Sequence, residues 1–216
     1  MLWCLMKRLL IFFITLLAGW LLPLVATGQT IAPVRQDSPT AFEEPLPLQN
    51  GDFEFGFTPV TIGGGAGQVG VGWTPFVVRG APFFLAGQVT PPPNHWQVLF
   101  GPAGAYDAGI QQQVREVAVG DTLRAEARVY LSPVLDGITK SIGIDPLGGN
   151  DPLAPTVIWS QHGTGSPWHT LAVTATAAAT QTTIFVRVRQ PLTVTPLYVG
   201  IDDVTLVRTA HGVSRF

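Results

Sequence analysis

The segment "LRAEARVYL" (residues 123–131) alternates apolar and polar side chains along its length. Its apolar positions are Leu123, Ala125, Ala127 and Val129, and the intervening positions are Arg124, Glu126, Arg128 and Tyr130. A period of two places one set on each side of an extended chain. The segment is therefore predicted to be a β-strand with one buried face.

Strand-like segments recur through the rest of the chain. "TTIFVRVRQ" (182–190) places Ile184, Val186 and Val188 on one side and Phe185, Arg187 and Arg189 on the other. Further strands are predicted at 52–57, 73–78, 96–100, 109–117, 138–144, 156–160, 168–174 and 201–207. Glycine and proline clusters separate them, and no convincing amphipathic helix lies between. About nine or ten short strands predict an all-β sandwich or barrel.

One glycine-rich segment resembles a nucleotide-binding pattern without its context. "GAGQVG" (65–70) has the spacing of a dinucleotide-binding loop, but Gly72, Trp73 and Pro75 follow instead of a helix. The pyrophosphate would need that helix N-terminus. We therefore expect a flexible loop here and no nucleotide.

The N-terminal 28 residues have the pattern of a signal peptide. Lys7 and Arg8 precede an apolar run from Leu9 to about Ala26, and small residues close the run at 26–28. We expect cleavage after Gly28 and a secreted protein; an uncleaved membrane anchor is the alternative. A linker is predicted at 29–47, which is rich in proline and acidic residues, followed by a domain at 48–209 and a short tail at 210–216.

Charge and cysteine content limit the partners of the mature chain. The full chain has 12 basic and 14 acidic residues, and removing Lys7 and Arg8 leaves 12 − 2 = 10 basic residues, a net charge of −4. That balance argues against nucleic acid or an anionic membrane surface as a partner. The single cysteine lies in the predicted signal peptide, so the domain, expected to be a monomer, must fold without a disulfide.

The segment "IDDVTLV" (201–207) carries two adjacent carboxylates, Asp202 and Asp203, among residues typical of a core. Such a pair resists burial unless a positive group lies nearby. The first predicted strand carries Asn50, Asp52 and Glu54, and the first and last strands of many sandwiches are neighbours. These oxygen ligands would suit a structural calcium ion. The alternative is a strand ending at a bulge, with Asp52 capping a turn.

Three segments together resemble a known class of binding module. "NGDFE" (50–54), "AGIQQQVREVAVGDTLRAEARV" (108–129) and "GIDDVTL" (200–206) resemble jelly-roll carbohydrate-binding modules of families four, nine and twenty-two, and the wider galactose-binding-like domains. The resemblance covers most of residues 48–208. It implies a jelly-roll β-sandwich of two antiparallel sheets and a structural calcium, with Asn50, Glu54 and Asp202 matching the family pattern most directly.

Sugar binding needs aromatic faces for stacking and planar polar groups for hydroxyls. The outward-facing candidates are Gln111, Gln113, Arg128, Tyr130, Asp145, Phe185, Arg187 and Arg189, provided that their strands share one sheet. Arg128, Tyr130, Arg187 and Arg189 are expected on one face, and Trp96, Tyr106, Trp159 and Trp168 at strand ends or loops. The alternatives are a solvated face of cross-strand ion pairs and tryptophans buried in the core.

The function that follows is a secreted, non-catalytic module that binds an oligosaccharide or polysaccharide. No strand carries the closely spaced carboxylates expected of a jelly-roll glycosidase, so an enzyme is not expected. The main alternative is a structural or adhesive extracellular module of the same fold without sugar binding. A jelly-roll hydrolase is the minor alternative.

Overall fold

The computed structural model describes residues 42–62, 65–89, 94–102, 104–132, 137–160, 168–191 and 197–210. All of them belong to the larger of two compact units, Ser38–Phe216. The predicted signal peptide, most of the predicted linker and residues 211–216 lie outside the described residues. Within the described ranges, no helix is long and apolar enough to cross a membrane.

Regular secondary structure in the described residues is entirely β. The thirteen strands are Phe42–Pro45 (β1), Phe57–Ile62 (β2), Gly65–Gly70 (β3), Thr74–Arg79 (β4), Phe83–Val89 (β5), Asn94–Gly101 (β6), Tyr106–Arg115 (β7), Thr122–Ser132 (β8), Thr139–Asp145 (β9), Ile158–Trp159 (β10), Trp168–Thr176 (β11), Gln181–Gln190 (β12) and Leu197–Ala210 (β13). Both alternating segments, β8 and β12, are strands with the predicted boundaries to within one residue.

Two antiparallel sheets form the sandwich. The front sheet has the order β11-β8-β13-β6-β5, with β1 also paired to β13, and the back sheet has the order β10-β9-β12-β7-β4. The strands β2 and β3 form a separate two-stranded hairpin. Leu123, Ala125, Ala127 and Val129 of β8 and Ile184, Val186 and Val188 of β12 are fully buried in one core. The all-β, two-sheet prediction is confirmed, because each sheet turns its apolar side to the other.

The predicted strand at 52–57 is wrong for most of its length. Residues 49–55 form turns, and only Phe57 begins a strand. Asn50 and Phe53 both have positive φ, which a strand does not allow. The Asn50 side chain stabilises the turn by accepting from the Phe55 backbone N (2.8 Å) and donating to the Gly56 backbone O (3.0 Å). The alternating phenylalanines suggested a strand. In the structure Phe53 is buried in the core, whereas Phe55 is exposed.

Other differences concern β1, β3 and β5. "GAGQVG", predicted to be a flexible loop, is β3 and pairs with β2 through the whole segment. The strand β5 was also not predicted, and β1 falls within the segment predicted as a linker. Gly70 of β3 has no room for a side chain, because a Cβ there would lie 2.5 Å from the Phe53 ring.

A β-bulge interrupts β13 at the two aspartates. Asp202 is paired with Arg128 of β8 and Thr205 with Glu126, so Asp203 and Val204 together lie opposite one residue. Asp203 has φ +47°, the left-handed conformation typical of such bulges. The extra residue reverses the side-chain alternation, and for this reason Ile201 and Val204 are both buried.

The bulge holds the start of the domain. The Val204 backbone N donates to the Gly51 backbone O (2.8 Å), and the Leu46 N donates to the Leu206 O (2.9 Å). Three segments therefore contact the edge of β13 that does not pair with β8. The strand β6 pairs with its first half, the turn at 49–55 contacts the bulge, and β1 pairs with its end. The predicted proximity of the first and last segments is confirmed.

Gly51 has no room for a side chain at this contact. A Cβ there would lie 2.1 Å from the Val204 O, so Gly51→Ala should displace the turn and break its bond to β13. We expect a loss of about 2–3 kcal/mol, or roughly 5–10 °C in melting temperature. Asp52→Ala, in the same turn but exposed, should change stability by no more than about 0.5 kcal/mol. Thermal unfolding in chelator measures both variants, and equal losses would contradict the role of the Gly51 contact.

Candidate functional site

The outer face of the front sheet carries a group of half-exposed aromatic side chains. Tyr130 of β8 and Trp168 of β11 are cross-strand partners, and their rings lie 5.4 Å apart between centroids. Trp96 of β6 lies 6.3 Å from Trp168 with the two ring planes nearly perpendicular (88°). One ring can therefore form the floor of a binding surface while the other forms its wall.

Two glycines make room for Trp96 on the sheet. A Cβ at Gly87 of β5 would lie 2.3 Å from the indole Nε1, and a Cβ at Gly200 of β13 would lie 3.1 Å from the indole Cδ1. The Gly200 position is also within 3.3 Å of both Trp168 and Tyr130. A side chain at Gly87 would displace the indole, and one at Gly200 would crowd it, so the two glycines leave the space that Trp96 occupies.

Polar groups surround the aromatic rings. One cleft of about 380 Å³ is lined by Trp96, Tyr130 and Trp168 together with Asn94, Arg128 and Asp202. A second cleft of about 430 Å³ shares Trp96 and Tyr130 and continues along Gly200 to Tyr198. We refer to these joined clefts as the aromatic cleft. Amide, guanidinium and carboxylate groups around aromatic rings can bind hydroxyl groups while an apolar surface is stacked.

The two aspartates of the bulge have different surroundings. Asp202 is only 5 % exposed, and its carboxylate accepts from the Asp203 backbone N (2.8 Å) and the Asn94 side-chain N (3.4 Å). Burial raises the pKa of Asp202 to about 6, and the charge of Asp203 acts in the same direction. Asp203 is exposed and accepts from the Arg128 guanidinium (2.8 Å). The positive group that the paired carboxylates require is therefore Arg128.

Arg128 is held by two contacts at the rim of the cleft. Besides its bond to Asp203, its guanidinium lies 5.3 Å from the Trp168 ring centroid. A cation over an indole face is attracted by the ring quadrupole. The bulge thus orients Arg128, and Arg128 contacts one wall of the aromatic cleft.

A row of stacked rings extends the same face across three strands. Phe83 of β5 lies 6.2 Å from Phe100 of β6, and Phe100 lies 4.5 Å from Tyr198 of β13. Phe83 and Tyr198 are 41 % and 47 % exposed. The three rings stack on one another across the strands β5, β6 and β13. We refer to them as the aromatic row.

The sandwich separates the predicted ligand residues. Trp96, Arg128, Tyr130 and Trp168 meet on the front sheet, whereas Arg187 and Arg189 lie on β12 of the back sheet. The expectation that Arg128, Tyr130, Arg187 and Arg189 share one face is therefore wrong. Equal side-chain parity in two strands places residues on one face only when the strands belong to one sheet.

Both predicted arginines of the back sheet form ion pairs with Asp107. Arg187 forms a bidentate salt bridge with Asp107, in which Nε (2.7 Å) and a terminal nitrogen (2.6 Å) each donate to one carboxylate oxygen. Its guanidinium also lies 5.5 Å from the centroid of the Trp159 ring. Arg189 lies 3.4 Å from the same Asp107 carboxylate. This is the cross-strand ion-pair arrangement that was the alternative to ligand binding.

The remaining predicted ligand residues lie on or behind the back sheet. Asp145 is 1 % exposed and accepts from the backbone N of Leu147 and of Gly149 (both 3.0 Å), so it holds a turn rather than a ligand. Tyr106 lies at a strand end as expected, since it begins β7, but its side chain is buried. Phe185 is also buried, in contact with the Phe76 and Trp159 rings, so neither side chain is free to bind a ligand. Gln111 and Gln113 line a separate groove on the back sheet.

The five predicted calcium ligands do not converge in the structure. Asn50 uses both side-chain atoms within its own turn, and Asp52 accepts from the Glu54 backbone N (3.3 Å). Glu54 contacts His95 through both carboxylate oxygens (2.7 and 2.9 Å), and these hydrogen bonds lower its pKa. Asp203 is paired with Arg128. Among the described residues, no three His, Cys, Asp or Glu side chains are grouped so as to hold a metal.

Several residues of the aromatic cleft were not predicted. They include Asn94, which lines the cleft, and Gly87 and Gly200. The two glycines contribute only space, so their sequence pattern gives no chemical signal. Tyr198 has a usable signal: with Gly200 and Asp202 it shares the outward parity of the segment before the bulge. A single strand over residues 198–207 places Tyr198 on the same face as Gly200 and Asp202, next to the cleft.

The buried carboxyl of Asp202 predicts a pH-dependent stability. Its folded-state pKa of about 6 lies above the usual value near 3.9, so ionisation is penalised and stability falls as the pH rises through this interval. In chelator, Asp202→Asn should be about 1–3 kcal/mol more stable than the parent above pH 7 and nearly equal to it at pH 4. Denaturant unfolding at the two pH values measures this. A parent protein more stable than the variant at pH 8 would contradict it.

No protein-family model matches the chain, and no curated protein matches it. Solved structures do match. The carbohydrate-binding module TmCBM61, solved with β-1,4-galactotriose, is 17 % identical, with a TM-score of 0.52 over 76 % of this chain and 99 % of that one. The active domain of tailspike protein 4 of bacteriophage CBA120 is 15 % identical, with a TM-score of 0.54 over 76 % of this chain and 21 % of that one.

A xylan-binding CBM22 domain from Paenibacillus barcinonensis is 13 % identical, with a TM-score of 0.43 over 64 % of this chain and 86 % of that one. At these identities the comparisons concern the fold. The match to the carbohydrate-binding module TmCBM61 agrees with the predicted jelly-roll sandwich, which is confirmed as the fold of this chain.

Proposed function

We propose that this protein is a secreted, non-catalytic module that binds a neutral glycan in the aromatic cleft of its front sheet. The observation that carries the proposal is the convergence of Trp96, Tyr130 and Trp168 with Asn94, Arg128 and Asp202 in one open cleft. Pyranose rings have apolar faces that stack on aromatic rings and equatorial hydroxyls that need donors and acceptors. The cleft offers both on a rigid sheet.

The charges of the cleft favour a neutral ligand over an anionic one. Arg128 is the cationic group of the cleft among the described residues, and its charge is already offset by Asp203. A uronate carboxylate would approach Asp202 and Asp203 and be repelled. Hydroxyl groups can instead donate to the Asp202 carboxylate and accept from Arg128 and Asn94. We therefore propose neutral hexose or pentose chains as the ligand class.

Binding without hydrolysis agrees with the carboxylates present. Glycoside hydrolysis generally uses a pair of carboxyl groups on either side of the scissile bond. Asp202 is the one carboxylate among the described residues that line the aromatic cleft. Secretion rests on the signal pattern at residues 1–28, and a monomer is the simplest state for a module whose cleft is complete within one chain.

The aromatic row supports a second candidate, a structural or adhesive module. Phe83, Phe100 and Tyr198 form a continuous apolar strip beside the cleft, and such strips often contact other proteins. In that case the front sheet would bind a protein surface rather than a sugar. A glycan array probed with the protein separates the two, because the adhesive candidate predicts no signal on any glycan.

The proposed stacking makes Trp96 the residue whose loss should matter most. For the glycan that gives the strongest array signal, Trp96→Ala should weaken binding by about 2 kcal/mol, roughly thirtyfold, as expected for a central aromatic contact. Trp159→Ala removes a half-exposed tryptophan from the opposite sheet and should leave the affinity unchanged. Calorimetry on both variants, with their β-sheet spectra checked, measures this. A larger loss with Trp159→Ala than with Trp96→Ala would contradict the proposal.

Calcium is a sequence-based proposal that the arrangement of side chains does not by itself support. Binding at the bulge would require Glu54 to leave His95 or Asp203 to leave Arg128. Its support is the resemblance of 50–54 and 200–206 to calcium-binding modules, together with the buried carboxyl of Asp202. A calcium ion bound only to the folded state would offset the repulsion of the paired carboxylates.

A melting experiment tests the calcium proposal. Calcium at a hundredfold excess over its dissociation constant should stabilise the fold by about 2.7 kcal/mol, or roughly 5–10 °C. Asp202→Asn should lose most of that increment, because a neutral amide is a weaker ligand than a carboxylate. A melting temperature indifferent to both calcium and chelator, in protein first shown to be metal-free, would leave the aspartates as a bulge alone.

A further inference from the structure

The edge strand β11 carries an inward-facing histidine directly behind the aromatic cleft. His169 is the cross-strand partner of Val129, which is fully buried, and directly opposite residues of an antiparallel pair project to the same side of a sheet. The imidazole therefore points between the two sheets, as Leu171 and Val173 of the same strand do. Both of its ring nitrogens are buried and lack a hydrogen-bond partner among the described residues. The residue before it, Trp168, forms one wall of the cleft.

A lysine lies in the core on the opposing sheet. Lys140 of β9 is the cross-strand partner of Val188 of β12, and both residues are 0 % exposed. The strand β9 packs across the core against β11. Burial lowers the pKa of Lys140 to about 8, so the amine is still mostly protonated at neutral pH. A positive charge is therefore already present on the side of the core that His169 faces.

The described strands around His169 offer it no carboxylate. Burial lowers the pKa of His169, and the positive charge of Lys140 acts in the same direction. The charged residues of β8 point to its outer face, and Asp145 holds a turn at the far end of β9. The other residues that β8, β9 and β10 supply on this side are apolar, namely Ala127, Val129, Leu131, Ile142, Ile158 and Trp159. In the folded protein the imidazole is therefore neutral at neutral pH.

Acid opposes this arrangement. His169 of the unfolded chain binds a proton near pH 6.5, whereas His169 of the folded chain binds one only at lower pH. The stability that the neutral imidazole contributes is therefore complete above about pH 6.5 and is lost as the pH falls below it. Among the described strands, β11 is an edge strand that pairs only with β8. Its first residues can open without unfolding the sandwich, so the cost of the proton falls on them.

We propose that His169 is a positioning residue for the aromatic cleft, which holds the start of β11 and Trp168 in place while it is neutral and releases them when it is protonated. The module would then bind its glycan near neutral pH and release it in mild acid. Release of Trp168 would remove one of the three aromatic rings of the cleft and the ring that Arg128 contacts. The release of ligand rests on the proposed function of the cleft, whereas the acid sensitivity of β11 does not.

The acid sensitivity is measured by comparing the parent protein with His169→Phe, which keeps a ring of similar size but cannot titrate. Between pH 7.5 and pH 5.5 the melting temperature of the variant should rise relative to that of the parent by roughly 2–4 °C, the scale of one buried titration in a domain of this size. Comparison at equal pH cancels the groups that both proteins share. His95→Phe removes a histidine that contacts the Glu54 carboxylate and should show no such gain. A constant difference between the parent and His169→Phe overturns the proposal.

Two measurements on β11 locate the effect and do not depend on the folding of His169→Phe. In the parent, amide exchange of residues 168–171 should accelerate on acidification relative to that of β12, after correction for the intrinsic pH dependence. The imidazole of His169, followed by NMR, should titrate below pH 6.5, and Lys140→Met should raise its midpoint by removing the like charge. A midpoint at or above pH 6.5, or acceleration shared equally by β12, overturns the proposal.

The link to the cleft is measured with the glycan that gives the strongest array signal. The affinity of the parent should fall about threefold or more from pH 7.5 to pH 5.5, because only molecules with β11 in place can bind. His169→Phe should lose most of this fall. Asp202 also lines the cleft and titrates in this interval, so an equal fall in both proteins assigns it to Asp202 and overturns the role of His169. If no glycan binds, the proposed function fails, while melting and exchange still decide the acid sensitivity of β11.

Discussion

The hydrogen bond from the Val204 N to the Gly51 O, at the bulge of β13, is the contact on which the arrangement of this domain depends. It joins the first turn of the domain to its last strand, in a chain that has no disulfide to do so. Because the bulge reverses the side-chain alternation, the strand buries Ile201 before it and Val204 after it. Without that reversal, half of β13 would turn its apolar side to solvent.

The same bulge organises the front face. Asp202 ends the outward series of Tyr198 and Gly200 and lines the cleft, whereas Asp203 turns into a left-handed conformation and reaches Arg128. Arg128 in turn lies over Trp168. The repulsion of two adjacent carboxylates is thus relieved by separating their environments, one buried with a raised pKa and one paired at the surface. The bulge and the proposed binding site therefore share these residues.

The sequence predicts the individual strands and a two-sheet sandwich, but not which strands belong to which sheet. Alternation in β8 and β12 is strong enough to predict both strands, since each buries one face. It cannot tell which strands share a sheet, because that depends on pairing between distant segments, and Arg187 was for this reason grouped with Arg128. The turn at 49–55 was missed because alternating phenylalanines look like a strand, while its geometry depends on the positive φ of Asn50 and Phe53. Gly87 and Gly200 contribute space, which no side-chain pattern reveals.

The central claim is that a glycan stacks on the aromatic cleft of the front sheet, and the indole N–H signals of the tryptophans report on it directly. We expect a neutral oligosaccharide to shift the Trp96 and Trp168 signals in a saturable way. The signals of Trp159, on the opposite sheet, and Trp73, whose indole N–H donates to the buried Asn50 O (3.0 Å), should remain in place. Saturation of the protein with a bound glycan that leaves Trp96 and Trp168 unmoved would contradict the account.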